Sequence, residues 1–88
     1  MYEIEFSKRA EKDLKLCSKR GYNKEDLKKV IAFLQETGTV PLTHRPHRLS
    51  GDYDGIWECH IKADWLLLWI VTDKTVTILR TGTHSDLF

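Results

Sequence analysis

Apolar and polar residues alternate at the start of the chain, where Tyr2, Ile4 and Phe6 are separated by Glu3 and Glu5. A period of two sends successive side chains to opposite faces, so this stretch predicts a short strand with one face buried. From Lys8 the period changes. At about 100° per residue, Ala10, Leu14 and Cys17 gather on one side. Lys8, Lys12, Lys15 and Lys19 follow one another at steps of 4, 3 and 4 on the other side. The pattern predicts an amphipathic helix over 8–19 with Ser7 as its cap. Arg20-Gly21-Tyr22 breaks it. Leu27, Val30, Ile31 and Leu34 then repeat the i, i+3, i+4, i+7 spacing of a second helix, with Asn23 to cap it and Gly38 to stop it. The two form a helical hairpin.

Thr39 to Pro46 reads as a loop punctuated by Pro41 and Pro46, and the rest of the chain as β structure. His47–Leu49 predicts a short strand. Ser50 to Gly55 is dense in turn residues. Strands are predicted over 56–61, 65–71 and 75–81, joined by tight turns at Lys62-Ala63-Asp64 and Thr72-Asp73-Lys74. The uninterrupted apolar run from Trp65 marks a central strand buried on both faces. The last seven residues suffice for a coil or one helical turn. The predicted class is α+β, in the order β-α-α-β-β-β-β, with the hairpin on one face of a small, mostly antiparallel sheet.

Eighty-eight residues make one small domain, 1–88. Folding at this size buries about 60–65% of the unfolded chain's surface, enough for one core. A hydrophobic fraction of 41% with 31% charged residues is ordinary for a globular domain and too apolar for a disordered one. No apolar run approaches the ~20 residues that span a bilayer, and the N-terminus lacks the layout of an export signal. A cytoplasmic location is expected, and Cys17 and Cys59, with no CxxC pairing, read as buried free thiols. The net charge of +1 hides an imbalance: residues 1–48 carry eleven Lys/Arg against seven Asp/Glu, and residues 49–88 carry three against six. A basic first half suits an anionic partner such as nucleic acid, although a lysine-rich helix face is also commonly just solvated.

Tight turns set the register of hairpins, so neighbours can be estimated. A turn centred on Ala63 puts His60 opposite Leu66. One centred on Asp73 puts Leu66 opposite Arg80, so that His60 and Arg80 share a row two strand spacings of roughly 4.8 Å apart. One centred on Tyr53 puts His47 opposite Cys59. Asp64, Trp65, His84 and Phe88 fall at the same end of the sheet. Such a rim joins imidazoles that move protons near neutral pH, a guanidinium that binds phosphate oxygens and rings that stack on bases. The set suits metal-free cleavage of RNA through its own 2′-hydroxyl. A zinc site from His47, His60 and His84 has no HxxxH-like spacing behind it. His44 carries no assigned role. Trp57 and Trp69 read as core.

The string His47-Arg48-Leu49-Ser50-Gly51, the segment His60-Ile61-Lys62-Ala63-Asp64-Trp65, and Arg80-Thr81-Gly82-Thr83-His84 followed by Leu87-Phe88 resemble, in order and spacing, the YafQ family of toxins in the RelE/ParE superfamily. The resemblance covers about the last 42 residues. It implies a ribosome-dependent messenger-RNA endonuclease, the toxin of a type II toxin–antitoxin pair, acting in the ribosomal A site with no cofactor. By position, His47, His60, Asp64 and His84 look like the acid–base set, with His84 the acid. Arg80 looks like the phosphate-stabilising residue, and Trp65 and Phe88 look like residues that shape the site. Lys8, Lys12, Lys15 and Lys19 would then face RNA. The implied partners are a cognate antitoxin, the ribosome with its mRNA, and operator DNA reached only through the antitoxin. Two other readings fit the same fold: a ParE-like toxin that binds DNA gyrase, and a basic module that binds RNA or protein without catalysis.

Overall fold

The computed structural model describes residues 1–88. Strand β1 (Glu3–Phe6) leads into helix α1 (Lys8–Lys19) and helix α2 (Lys24–Thr37). A 3-10 turn at Leu42–His44 precedes the short β2 (His47–Arg48), and another at Gly51–Tyr53 precedes β3 (Trp57–Lys62), β4 (Trp65–Thr72) and β5 (Thr75–Gly82). The chain ends in a single helical turn, α3 (His84–Leu87). The five strands lie in the order β1-β5-β4-β3-β2. Only β1–β5 is parallel. The others pair antiparallel, and the apolar β4 takes the central position.

Caps set the helix ends. Ser7 Oγ accepts from the Ala10 N–H (3.0 Å) and donates to the Leu79 carbonyl (2.9 Å), so the residue that starts α1 also pins it to β5. Asn23 accepts from the Glu25 N–H at 2.8 Å. Gly38 ends α2 in the left-handed region (φ 77°). It is also where Tyr2 comes closest, since a Cβ there would lie 2.8 Å from the tyrosine ring, so glycine is required twice over.

The apolar faces of α1 and α2 cover one sheet face, burying Ala10, Cys17, Val30 and Leu34 against Cys59, Ile61, Leu67, Trp69, Val76 and Ile78. On the other face Leu66 and Leu68 meet Leu87 of α3. Both faces of β4 are therefore covered, which is why its sequence shows no alternation. Cys17 and Cys59 are buried and unpaired. Burial pushes the Cys59 thiol up to about 12, leaving almost no thiolate at neutral pH.

Two register expectations need correction. His60 does face Leu66. Leu66, however, faces Gly82, and Arg80 faces Leu68. The last turn is a two-residue loop, Asp73-Lys74, closed by the Thr72–Thr75 pair, and a bulge interrupts the ladder at Leu68/Trp69. Together these carry Arg80 out of the His60 row. Likewise His47 pairs with Glu58 and not with Cys59, because the Gly51–Tyr53 turn shifts the connection by one residue.

Candidate active site

The turn between β3 and β4 and the end of β5 lie at the same rim of the sheet. From that rim Asp64 reaches α3. Its Oδ1 accepts both the backbone N–H of His84 (3.0 Å) and the ring Nδ1–H (2.7 Å). The backbone bond first, and the ring bond after it, hold the Asp64 carboxyl below its ordinary range. It is therefore a carboxylate at neutral pH, and it fixes the plane of an otherwise exposed imidazole. His84 Nε2 has no protein partner. The ring of His60 faces it, with centroids 5.9 Å apart.

His60 is held from behind. The 3-10 turn before β2 docks on β3 through His44, whose Nδ1 donates to the His60 carbonyl at 2.8 Å. The His44 ring also lies 6.2 Å from that of Phe33. His44 thus has a structural place that its isolated position in the sequence did not signal. His60 Nδ1 lies 3.3 Å from both the Arg45 guanidinium and the Ala63 carbonyl. His47 stands on the neighbouring strand with Nε2 3.4 Å from buried Glu58, and its Nδ1 is 3.5 Å from the Arg45 carbonyl. Both of its ring nitrogens face acceptors, in contrast to the free Nε2 atoms of His60 and His84.

Arg80 lies where β5 runs on past the end of β1, beside α1. Asp13 takes its Nε at 2.7 Å and its Nη2 at 3.3 Å. A third bond, 3.4 Å to the Asp86 carbonyl, ties Arg80 to α3. The Asp13 pairing raises the already high pKa of the guanidinium. Trp65 points into the core. Its Nε1 donates to Thr81 Oγ1 (2.9 Å), and its ring lies 4.9 Å from that of Tyr22. At 5% exposure it packs beneath the rim and offers no open face to a base. Phe88 is exposed, edge-on to Tyr53 at 5.5 Å and 6.5 Å from the His84 ring. Lys8, Lys12, Lys15 and Lys19 are all exposed on α1, and none pairs with an acid. A cavity of about 420 Å³ opens beside Asp64, with Tyr22, Asn23, Lys62 and Thr83 among its walls.

What holds α3 was not foreseen. Arg20, just past α1, makes two bonds to the Asp86 carboxylate (2.6 and 3.0 Å). Asp86 also closes a capping box with Thr83. Gly82 (φ 153°) permits this approach, since a Cβ there would sit 2.7 Å from Asp86 Oδ2. The Arg20 bond, then the Thr83 N–H, hold the Asp86 carboxyl far below its ordinary 3.8. A depressed pKa contributes stability that is complete above the unfolded value and is lost as pH falls towards the folded one. The gap in thermal midpoint between the parent and Arg20→Ala should therefore be present at neutral pH and close as pH falls below 3.8. A gap independent of pH would show that Arg20 acts by packing alone.

The sequence matches, over residues 2–88, the family described as bacterial toxin of type II toxin–antitoxin system, YafQ. The chain belongs to the YafQ toxin family. The mRNA interferase toxin YafQ of Escherichia coli K12 is 37% identical over 87 residues, covering 98% of this chain and 95% of that one. The toxin in the crystal structure of the E. coli DinJ–YafQ toxin–antitoxin complex superposes with a TM-score of 0.88 at 36% identity, covering 99% of this chain and 97% of that one. A metal-bound toxin from Helicobacter pylori superposes at 0.91 with 36% identity over the full length of both chains. In the present YafQ-family chain no group of three or more His, Cys, Asp or Glu side chains is arranged to hold a metal ion.

Proposed function

We propose that this YafQ-family toxin is a ribosome-dependent endoribonuclease that cuts messenger RNA in the A site by attack of the ribose 2′-hydroxyl. The observation that carries the reading is the facing pair His60 and His84, each with a free Nε2, one of them oriented by Asp64. One imidazole takes the 2′-hydroxyl proton as the 2′-oxygen bonds to phosphorus. The other gives a proton to the 5′-oxygen as its bond to phosphorus breaks. Between these events the phosphorane carries extra negative charge, which Arg80 neutralises. The products are a 2′,3′-cyclic phosphate and a 5′-hydroxyl. His60 fits the base and His84 the acid, with His47 held in reserve by Glu58. Phe88 and Tyr53 offer rings for stacking, and the α1 lysines face ribosomal RNA.

In the cytoplasm a cognate antitoxin would occlude this rim, and operator DNA would be reached through that antitoxin. No helix is long and apolar enough to cross a membrane. The test is cleavage by purified toxin on programmed ribosomes. Cuts inside the reading frame, cyclic-phosphate ends and resistance of a 2′-deoxy substitution at the cut site are expected. Cleavage of the 2′-deoxy message, or inhibition of gyrase supercoiling without RNA cleavage, would overturn it.

A further inference from the structure

The carboxylates around the rim are already matched: Asp64 with His84, Glu58 with His47, Asp86 with Arg20, and Asp13 with Arg80. Arg80 therefore shares its charge between Asp13 and an incoming phosphate. Cleavage adds a negative charge at phosphorus, and a second cation with no carboxylate partner would match it better than Arg80 alone.

Arg45 has no such partner. It is exposed and pairs with no carboxylate, yet its Nη2 lies 3.3 Å from His60 Nδ1. Its backbone is left-handed (φ 51°), a strained choice for a residue with a long side chain. Three neighbours hold that conformation: the Leu42–His44 turn behind it, the His44 bond to β3 and the start of β2 after it.

His60 Nδ1 has two partners it cannot satisfy together. A guanidinium only donates, so the Arg45 contact needs a lone pair on Nδ1. The Ala63 carbonyl only accepts, so that contact needs a proton there. With the lone pair on Nδ1, the proton sits on Nε2, and Nε2 cannot accept one from a ribose. With the proton on Nδ1, Nε2 carries the lone pair that a base requires.

Building on the nuclease reading above, we propose that Arg45 is a second phosphate-binding residue, and that its capture by the scissile phosphate releases His60 to bond Ala63 and act as the base through Nε2. Substrate thereby selects the working tautomer of its own base. In the free protein Arg45 holds the other tautomer.

Two measurements test this. In single-turnover cleavage on ribosomes, Arg45→Ala should slow the reaction by about 100-fold, the usual cost of one lost transition-state donor, and Arg45→Lys should recover part of the loss. Nitrogen-15 spectra of the His60 ring, without ribosomes, should show Nε2–H in the free protein, a shift to Nδ1–H on adding adenosine 3′-monophosphate, and Nδ1–H throughout in Arg45→Ala. Cleavage by Arg45→Ala within threefold of the parent, or a His60 tautomer that neither the nucleotide nor the substitution changes, overturns the proposal. If the parent itself leaves mRNA uncut, the nuclease reading fails, while the ring spectra still decide whether Arg45 and phosphate control His60.

Discussion

Replacing His84 by alanine is expected to stop mRNA cleavage while the protein stays folded. The ring is 57% exposed and its side-chain bond is to Asp64, itself 60% exposed. The backbone N–H of residue 84 can still donate to Asp64 in the variant, and the Thr83–Asp86 capping box is untouched. Little stability is lost. On the proposed mechanism the reaction loses its proton donor to the leaving oxygen, a contribution of roughly 10²–10⁴ in rate. Expression of His84→Ala should no longer arrest growth, its single-turnover rate should fall within that range, and its thermal midpoint should match the parent's. Asp64→Asn is the graded control. It keeps an oxygen that can accept from His84 but removes the charge, so its loss should be smaller than that of His84→Ala. Continued arrest by a folded His84→Ala toxin would remove His84 from the reaction.

The parts of the fold that could be read in advance were those whose pattern has a period. Helix α1 runs over Lys8–Lys19 with Ser7 as cap, and α2 is bounded by Asn23 and Gly38, as the apolar spacing indicates. Register on β4 had no such signal. Trp65 to Trp69 are buried on both sides, so a shift by one residue exchanges one apolar side chain for another and leaves the pattern unchanged. The bulge at Leu68/Trp69 is silent in sequence for the same reason, and with the Asp73-Lys74 loop it displaced Arg80. The candidate site residues that could be named were those with their own chemistry and a motif around them. Those that position them were hidden. Arg20 and Asp86 are 66 residues apart, and nothing local links them. Arg45 depends on a left-handed backbone that no neighbouring glycine announces.

Asp13 is different, because its signal was present. It lies on the stripe formed by Ala10, Leu14 and Cys17, where a core residue belongs. A carboxylate on a buried stripe requires donors. It has three: Arg80 Nε at 2.7 Å, Arg80 Nη2 at 3.3 Å and the Thr81 N–H at 3.2 Å. The last belongs to the part of β5 beyond Phe6, where β1 no longer supplies acceptors. Asp13→Ala should consequently do two kinds of damage. A buried amide loses its acceptor and a mostly buried guanidinium loses its counter-charge, together costing about 3 kcal/mol. For a domain of this size that corresponds to a fall in thermal midpoint of roughly 12–24 °C. Arg80 is also freed from the geometry that aims it at α3, so cleavage should fall even at temperatures where the variant is folded. The double variant D13L/R80M separates the effects. Two apolar side chains of fitting size should recover the part of the stability lost by stranding the guanidinium, because a buried ion pair contributes little beyond what good packing supplies, while the Thr81 amide stays without its acceptor. They restore no positive charge, so the double variant should remain folded and fail to cut. A D13A protein whose midpoint lies within a few degrees of the parent would mean that water, and not Asp13, satisfies Arg80 and the Thr81 amide.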